Sequence, residues 1–193
     1  MISKKESQIT NLLLFVFLGI QILIIFLINI FLSKTNIDCD SAKLFVHAIE
    51  MAKERSLLLY NWSHATTLEL DSSLLLAVPL FLITDNIYLS ISISNIVLLM
   101  LFVWCVFKIF KGMPLAYPLL VSIFVCIPYR VGQLDYANMM VFNGSQYIIK
   151  TTLPLMFLVI LITKDSLKQL SRGNLIKEIA FLVIYYSLLF ITG

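Results

Sequence analysis

Apolar residues fall into long blocks along this chain, and polar residues are concentrated in the segments between the blocks. Residues 10–33 contain no charged side chain. Further apolar blocks are residues 87–107, 113–129, 146–163 and 179–193. A helix needs about 20 predominantly apolar residues to cross the hydrocarbon core of a bilayer. The pattern therefore predicts an all-α polytopic membrane protein with about five transmembrane helices, the first at residues 12–32.

One apolar stretch, residues 73–84, is shorter than the others and is bounded by Asp71 and Asp85. A helix of that length measures about 18 Å, whereas the hydrocarbon core is about 30 Å thick. We therefore predict a re-entrant or surface-lying helix at this position. It would lie in a long first external loop, residues 33–86.

The distribution of lysine and arginine agrees with that topology, because these residues are more frequent on the cytoplasmic side of a membrane. If residues 73–84 do not cross, the basic residues on the side of the N-terminus are Lys4, Lys5, Lys108, Lys111, Lys164, Lys168, Arg172 and Lys177. If they do cross, the basic residues on that side are only Lys4, Lys5, Arg130 and Lys150. The first arrangement is favoured, with a cytoplasmic N-terminus and a second external loop at residues 130–145.

The first external loop contains a predicted amphipathic helix at residues 41–59. Its apolar face consists of Ala42, Phe45, Val46, Ile49 and Ala52, and its charged stripe consists of Lys43, His47, Glu50 and Glu54. These spacings are typical of a helix with one apolar side. We expect the helix to lie along the membrane interface with His47 exposed.

An acidic pair, Asp38 and Asp40, stands between the first span and this helix. A carboxylate can accept a proton from an attacking hydroxyl group, and two carboxylates can hold a hard divalent cation. Asp40 also stands where the N-cap of the helix is expected, and a carboxylate suits that position. Asp40 could therefore act in catalysis or simply cap the helix. Asp38 could act in catalysis or simply be solvated.

Composition agrees with the membrane assignment. The chain has 193 residues, 60% of them hydrophobic and 13% charged, and its mean hydropathy is +0.97. We interpret residues 1–193 as one integral membrane unit without a separate soluble domain. The net charge of +3 gives no indication of nucleic-acid binding, and three cysteines do not form a disulfide framework.

The layout resembles the C-type (GT-C) superfamily of membrane glycosyltransferases, which includes protein O-mannosyltransferases and aminoarabinose transferases. The matching stretches are Asp-Cys-Asp-Ser-Ala-Lys at residues 38–43, Ala-Ile-Glu-Met-Ala-Lys-Glu at 48–54, and the short apolar helix that leads into residues 87–107. The chain departs from the family where the short helix begins, since Leu70-Asp71-Ser72-Ser73 replaces a His/Lys-Pro-Pro-Leu element.

This resemblance implies transfer of a sugar from a polyprenyl-phosphate-linked donor on the external face of a bacterial plasma membrane. It implies that Asp40 acts as the general base or orients the acceptor nucleophile, with Asp38 as second choice. Some family members use a divalent cation and others none, and here a cation would be held by Asp38 and Asp40. The residues implied in substrate binding are Arg55, Arg130, Asp135 and Lys150. Arg55, Arg130 and Lys150 would stabilise the departing lipid phosphate, although Lys150 could also simply extend to the membrane surface.

Two other functions stay open from the sequence. A transporter fragment predicts polar residues inside the spans. We expect the three clear spans, residues 12–32, 87–107 and 113–129, to carry almost none, which counts against a transporter. A non-catalytic membrane scaffold or subunit would use the external loop only to bind a partner. The family is more than twice as long as this chain, and the block at residues 179–193 is short of a full crossing. A fragment or a truncated gene product would explain both features, so we expect a membrane glycosyltransferase or the N-terminal portion of one.

Overall fold

The computed structural model of the protein describes residues 4–35, 37, 39–60, 62, 72–128 and 147–163, and five residues between 180 and 187. Within these residues the regular secondary structure is helical, with six helices of defined bounds and no strand. The helices are α1 (Lys4–Leu32), α2 (Cys39–Glu54), α3 (Leu74–Thr84), α4 (Ile87–Ile109), α5 (Ala116–Val125) and α6 (Ile148–Thr163).

Two of the described helices, α1 and α4, are long and apolar enough to cross a membrane. With 29 and 23 residues, they measure about 44 Å and 35 Å along their axes. Most of α4 is buried against other helices, whereas α1 leaves most of its apolar side chains exposed. An exposed apolar surface of this extent needs a nonaqueous neighbour, and lipid would provide one.

Several of the predicted segments coincide with helices of the structure. The predicted helices at residues 73–84 and 87–107 correspond to α3 and α4, and the predicted span at residues 12–32 lies within α1. The predicted interfacial helix at residues 41–59 corresponds to α2, which ends earlier, at Glu54.

The predicted count of about five spans is not supported by the described residues. The spans expected at residues 113–129 and 146–163 correspond to α5 with 10 residues and α6 with 16. These lengths give about 15 Å and 24 Å of helix, which is less than the hydrocarbon thickness of about 30 Å. Most of residues 179–193 lie outside the described part of the chain.

Buried apolar side chains form two clusters. The first, which we call the bundle cluster, joins α1, α4, α5 and α6 and consists of Leu18, Ile25, Leu98, Leu99, Phe102, Val103, Val106, Leu119, Ile123, Cys126, Ile148 and Ile149. The second, which we call the α2–α3 cluster, consists of Leu44, Phe45, Ala48, Met51, Ala52, Leu59, Leu74, Ala77, Val78, Ile87 and Ile91. α4 contributes to both clusters.

A tight turn joins α3 to α4. Asp85 ends α3 in the left-handed conformation, with φ of 50°, and its backbone N–H donates to the Phe81 carbonyl. Asn86 then caps α4, because its side-chain oxygen accepts a hydrogen bond of 3.1 Å from the Leu89 N–H. The two caps place α3 directly against the first turns of α4.

Polar side chains connect α1 to α4 inside the bundle. The Asn95 amide donates a 2.9 Å hydrogen bond to the Asn29 side-chain oxygen, and the Ser92 hydroxyl donates to the Asn29 backbone carbonyl. All three residues are buried. The expectation that the clear spans carry almost no polar residues is therefore wrong: these polar side chains lie between the helices and bond to one another.

Removing the Asn29–Asn95 hydrogen bond is expected to weaken the contact between α1 and α4. A double-mutant cycle with Asn29→Ala and Asn95→Ala should give a coupling free energy of about 0.6 kcal/mol, and at most about 1.7 kcal/mol. The measurement is reversible unfolding of the full chain in mixed micelles. Because Ser92 bonds to the backbone of Asn29, that contact is available in every variant.

Ser94 provides the matched control. It is also buried in α4, but its hydroxyl donates a hydrogen bond of 2.7 Å to the Ser90 carbonyl of the same helix. Ser94→Ala combined with Asn29→Ala should therefore be additive in the free energy of unfolding. Additivity in the Asn29–Asn95 cycle as well would contradict a stabilising bond between the two side chains.

Candidate active-site region

The segment that carries the candidate catalytic residues is built around α2, which packs against both α3 and α4. Its buried positions follow helical spacing and are Ser41, Leu44, Phe45, His47, Ala48, Met51 and Ala52. Val46, which the sequence assigned to the apolar face, is exposed. The buried face of α2 is therefore rotated relative to the predicted face, because it is defined by contact with two helices rather than by a flat interface.

His47 lies in the centre of this buried face. The expectation that it is exposed is wrong, since its relative exposure is 0%. Its imidazole ring stacks on the indole ring of Trp62, with ring centroids 4.5 Å apart and an angle of 10° between the planes. Because stacked aromatic rings attract each other, this contact packs Trp62, in the segment after α2, against the middle of the helix.

The sequence contains a signal for this burial. His47 stands three residues after Leu44 and four before Met51, so all three positions fall on one side of a helix. The position of His47 along α2 therefore predicts its burial better than its residue type does, because position determines the direction in which a side chain points.

Asp40 is the second residue of α2 and lies in the first helical turn. The helix begins at Cys39, so the backbone does not place Asp40 at the N-cap as expected. A negative charge in the first turn still interacts favourably with the helix dipole. The side chain of Asp40 and the whole of Asp38 lie outside the described part of the chain.

Arg55 lies at the opposite end of α2 and is exposed. Fourteen helical steps separate Asp40 from Glu54, the last residue of the helix, which is about 21 Å along the axis. A sugar phosphate is only a few ångströms from its anomeric carbon to its phosphorus. In this arrangement Arg55 and Asp40 do not share one bound sugar phosphate.

Arg55 also has an unusual backbone conformation, with φ of 51° in the left-handed region. The Ser56 N–H bonds to the Met51 carbonyl at 3.1 Å and the Arg55 N–H bonds to the Ala52 carbonyl at 3.4 Å. This pair of bonds is the Schellman motif that commonly ends helices, in which glycine is the usual residue at the position of Arg55. An arginine there is strained relative to glycine.

The remaining predicted substrate-binding residues are only partly described. Lys150 is in the first turn of α6, half-buried, with its ammonium nitrogen 5.3 Å from the centroid of the Tyr147 ring. Arg130 and Asp135 lie outside the described residues, so their relation to Asp40 stays a prediction. The structure therefore does not bring any two of the predicted site residues into contact within its described part.

The possible divalent cation depends on Asp38 and Asp40. Among the described residues, no group of three or more His, Cys, Asp or Glu side chains comes together in a way that could hold a metal ion. Neither aspartate side chain belongs to that described set.

Comparisons of the chain with protein-family models, with curated proteins and with solved structures found no match. The resemblance to the C-type glycosyltransferases consequently stays a hypothesis that rests on the layout of the sequence.

The contact between His47 and Trp62 should contribute measurably to stability. Replacing His47 with alanine in a Trp104→Phe background removes the ring that covers Trp62, so the Trp62 emission should move to longer wavelength. The free energy of unfolding should fall by about 1–3 kcal/mol, since a buried side chain and an aromatic contact are both lost. Fluorescence and denaturant unfolding in mixed micelles measure the two effects.

Val46→Ala is the matched control, because Val46 is the neighbouring residue of α2 but is 49% exposed. This substitution should leave the Trp62 emission unchanged. Equal effects of the two substitutions would show that position 47 is no more buried than position 46, which would contradict the described orientation of α2.

The conformation of Arg55 predicts an inverted preference between glycine and alanine. At this position Arg55→Gly should be more stable than Arg55→Ala by about 1 kcal/mol, because only alanine pays for the left-handed conformation. At Lys53, inside α2, the order should reverse and Lys53→Gly should be less stable than Lys53→Ala by about 1 kcal/mol. Unfolding measurements on the four variants test the sign, and the same order at both positions would argue against a helix end at Arg55.

Proposed function

We propose that the chain is an integral membrane glycosyltransferase of the C type. It would transfer a sugar from a polyprenyl-phosphate-linked donor to an acceptor hydroxyl on the external face of a bacterial plasma membrane. Its N-terminus would be cytoplasmic. Asp40 would be the general base, and Asp38 is the second choice.

The observation that carries this proposal is the order and packing of the first four helices. A long apolar helix is followed by α2, with Asp40 in its first turn, then by the short apolar α3 and by the second long helix α4. α2 packs against α3 and α4 rather than extending away from them. A carboxylate in the first turn of a helix so placed would lie close to the end of α1, where a lipid-linked substrate would be accessible from the bilayer.

The proposed reaction is a single displacement at the anomeric carbon. The acceptor oxygen forms a bond to that carbon, and the bond between the carbon and the phosphate oxygen breaks. The proton of the acceptor hydroxyl passes to the Asp40 carboxylate, and the electron pair of the broken bond stays on the polyprenyl phosphate. The departing phosphate gains negative charge, so a nearby cation would lower the barrier.

Lys150 and Arg130 are the candidates for that cation. Arg55 is less suited, because the length of α2 separates it from Asp40. If the proposal holds, Arg130 and Asp135 belong to a second external loop at residues 130–145, and α5 and α6 are parts of further crossings. The full proposal therefore includes about five transmembrane helices.

A non-catalytic membrane scaffold is the second candidate, and one observation favours it. Asp40 lies in the first turn of α2, where a negative charge stabilises a helix by about 0.3–1 kcal/mol without any chemistry. In that case the segment between α1 and α4 would serve only to bind a partner.

Substitution of Asp40 distinguishes the two functions. Asp40→Asn keeps the size of the side chain but removes the base, so sugar transfer should fall by about 10²–10⁴-fold. The assay is release of polyprenyl phosphate by the full chain from a panel of polyprenyl-phosphate-linked mannose, glucose and aminoarabinose, in the presence of hydroxyl acceptors. Glu54→Gln, at the other end of the same helix, is the control and should retain activity.

Undiminished transfer by Asp40→Asn, at normal expression, would remove Asp40 as the base. Asp38→Asn then tests the second choice in the same assay. If the wild-type chain transfers no sugar from the panel while Asp38 and Asp40 can both be replaced without loss of assembly, the scaffold function is supported instead.

A further inference from the structure

An exposed surface of basic and aromatic side chains lies where α4 turns into α5. We call it the turn surface, and it consists of Trp104, Lys108, Lys111, Met113 and Tyr117. Trp104 is 47% exposed, Met113 58% and Tyr117 54%, while Lys111 is exposed and Lys108 half-buried. This surface is at the opposite end of α4 from Ile87 and therefore remote from α2 and Asp40.

No carboxylate among the described residues pairs with the lysines of the turn surface. The Lys108 ammonium nitrogen lies 5.5 Å from the centroid of the Trp104 ring. Within the described part of the chain, neither Lys108 nor Lys111 takes part in an ion pair. The sequence has no aspartate or glutamate between Asp85 and Asp135, so the charged side chains of this stretch of the chain are all positive.

The two lysines are held on an ordered turn. The Lys111 N–H donates to the Lys108 carbonyl at 3.2 Å, and the Met113 N–H donates to the Phe110 carbonyl at 3.0 Å. Gly112, between Lys111 and Met113, has φ of 92°, a conformation that glycine adopts without strain. The backbone therefore fixes where the two lysine side chains begin before any ligand binds, so the turn itself does not have to be ordered on binding.

The aromatic residues indicate the depth of this surface in a bilayer. α4 is about 35 Å long, slightly longer than the hydrocarbon core of about 30 Å, so the end of a crossing helix lies near the headgroups. Trp104 is in the last two turns of α4, and tryptophan and tyrosine are enriched at the boundary between hydrocarbon and headgroups. Lysine beside such a residue can keep its stem in the apolar region and its charge among the headgroups.

We propose that the turn surface binds the phosphate-bearing headgroup of an anionic membrane lipid. Lys108 and Lys111 contact the phosphate, and the exposed side chains of Trp104, Met113 and Tyr117 contact the upper part of the acyl chains. The apolar side chains around the lysines favour a lipid over free phosphate, because free phosphate has no apolar part to cover them. The site rests on the membrane location proposed above but not on sugar transfer.

Tryptophan fluorescence can test this site directly, because the chain has two tryptophans. Trp62→Phe leaves Trp104 as the only reporter, and the full-chain variant is placed in vesicles of phosphatidylcholine and phosphatidylglycerol. Bromine on the acyl chains of one lipid or the other quenches Trp104 when that lipid is its neighbour. Phosphatidylglycerol should be preferred severalfold, up to about thirtyfold for two lysines at the surface, and high salt should reduce the preference.

Lysine variants identify the source of the preference. Lys108→Gln with Lys111→Gln should make the quenching by the two lipids equal, whereas arginine at both positions should preserve the preference. Lys43→Gln with Lys53→Gln, in α2, is the control and should also preserve it. Loss of the preference in the arginine variant or in the α2 control would overturn the assignment to the turn surface.

Three results with the parent variant would each overturn the proposal for a different reason. Equal quenching by both lipids would show no anionic selectivity, while leaving the membrane location intact. Absence of quenching by either lipid would show that Trp104 is not in contact with a bilayer, which also contradicts the membrane location. Loss of the preference on adding inorganic phosphate, at constant ionic strength, would assign the surface to a soluble anion.

Discussion

The packing of α4 is the constraint on which the rest of the described structure depends. α4 contacts each of the other five helices, and most of its side chains are buried. Leu98 to Val106 contribute to the bundle cluster, whereas Ile87 and Ile91 contribute to the α2–α3 cluster. Because the interior of each cluster is close-packed, a shift of α4 would require both to repack. The candidate active-site region and the bundle are therefore mechanically linked through one helix.

Polar contacts determine how α1 is placed against α4. Burying a side-chain amide without a hydrogen-bond partner raises the free energy of the folded protein, because the amide loses its hydrogen bonds to water. The Asn29 and Asn95 amides bond to each other, and the Ser92 hydroxyl bonds to the Asn29 backbone. These hydrogen bonds favour one rotation of α1 about its axis and one position along α4. Contacts between apolar side chains alone would allow several such arrangements. These bonds run between two helices, and interhelical hydrogen bonds of this kind are common contacts between apolar helices.

Three features of the candidate region are spaced along the length of α2. Asp40 lies in its first turn, the stack of His47 on Trp62 lies at its middle, and Arg55 follows its last turn. A rigid helix keeps these three positions about 10 Å apart from one to the next. The aromatic contact holds α2 against the segment that follows it, so the orientation of the first turn depends on packing far from Asp40.

The sequence by itself determined which segments are helical and how long α3 and α4 are, because hydropathy and turn residues act locally. It also placed Asp40 near the start of α2. Only the tertiary structure decided that the buried face of α2 excludes Val46, and that Asn29 meets Asn95 across 66 positions of the chain. These features depend on which helices come together, and a residue's local sequence contains no information about a partner so far away.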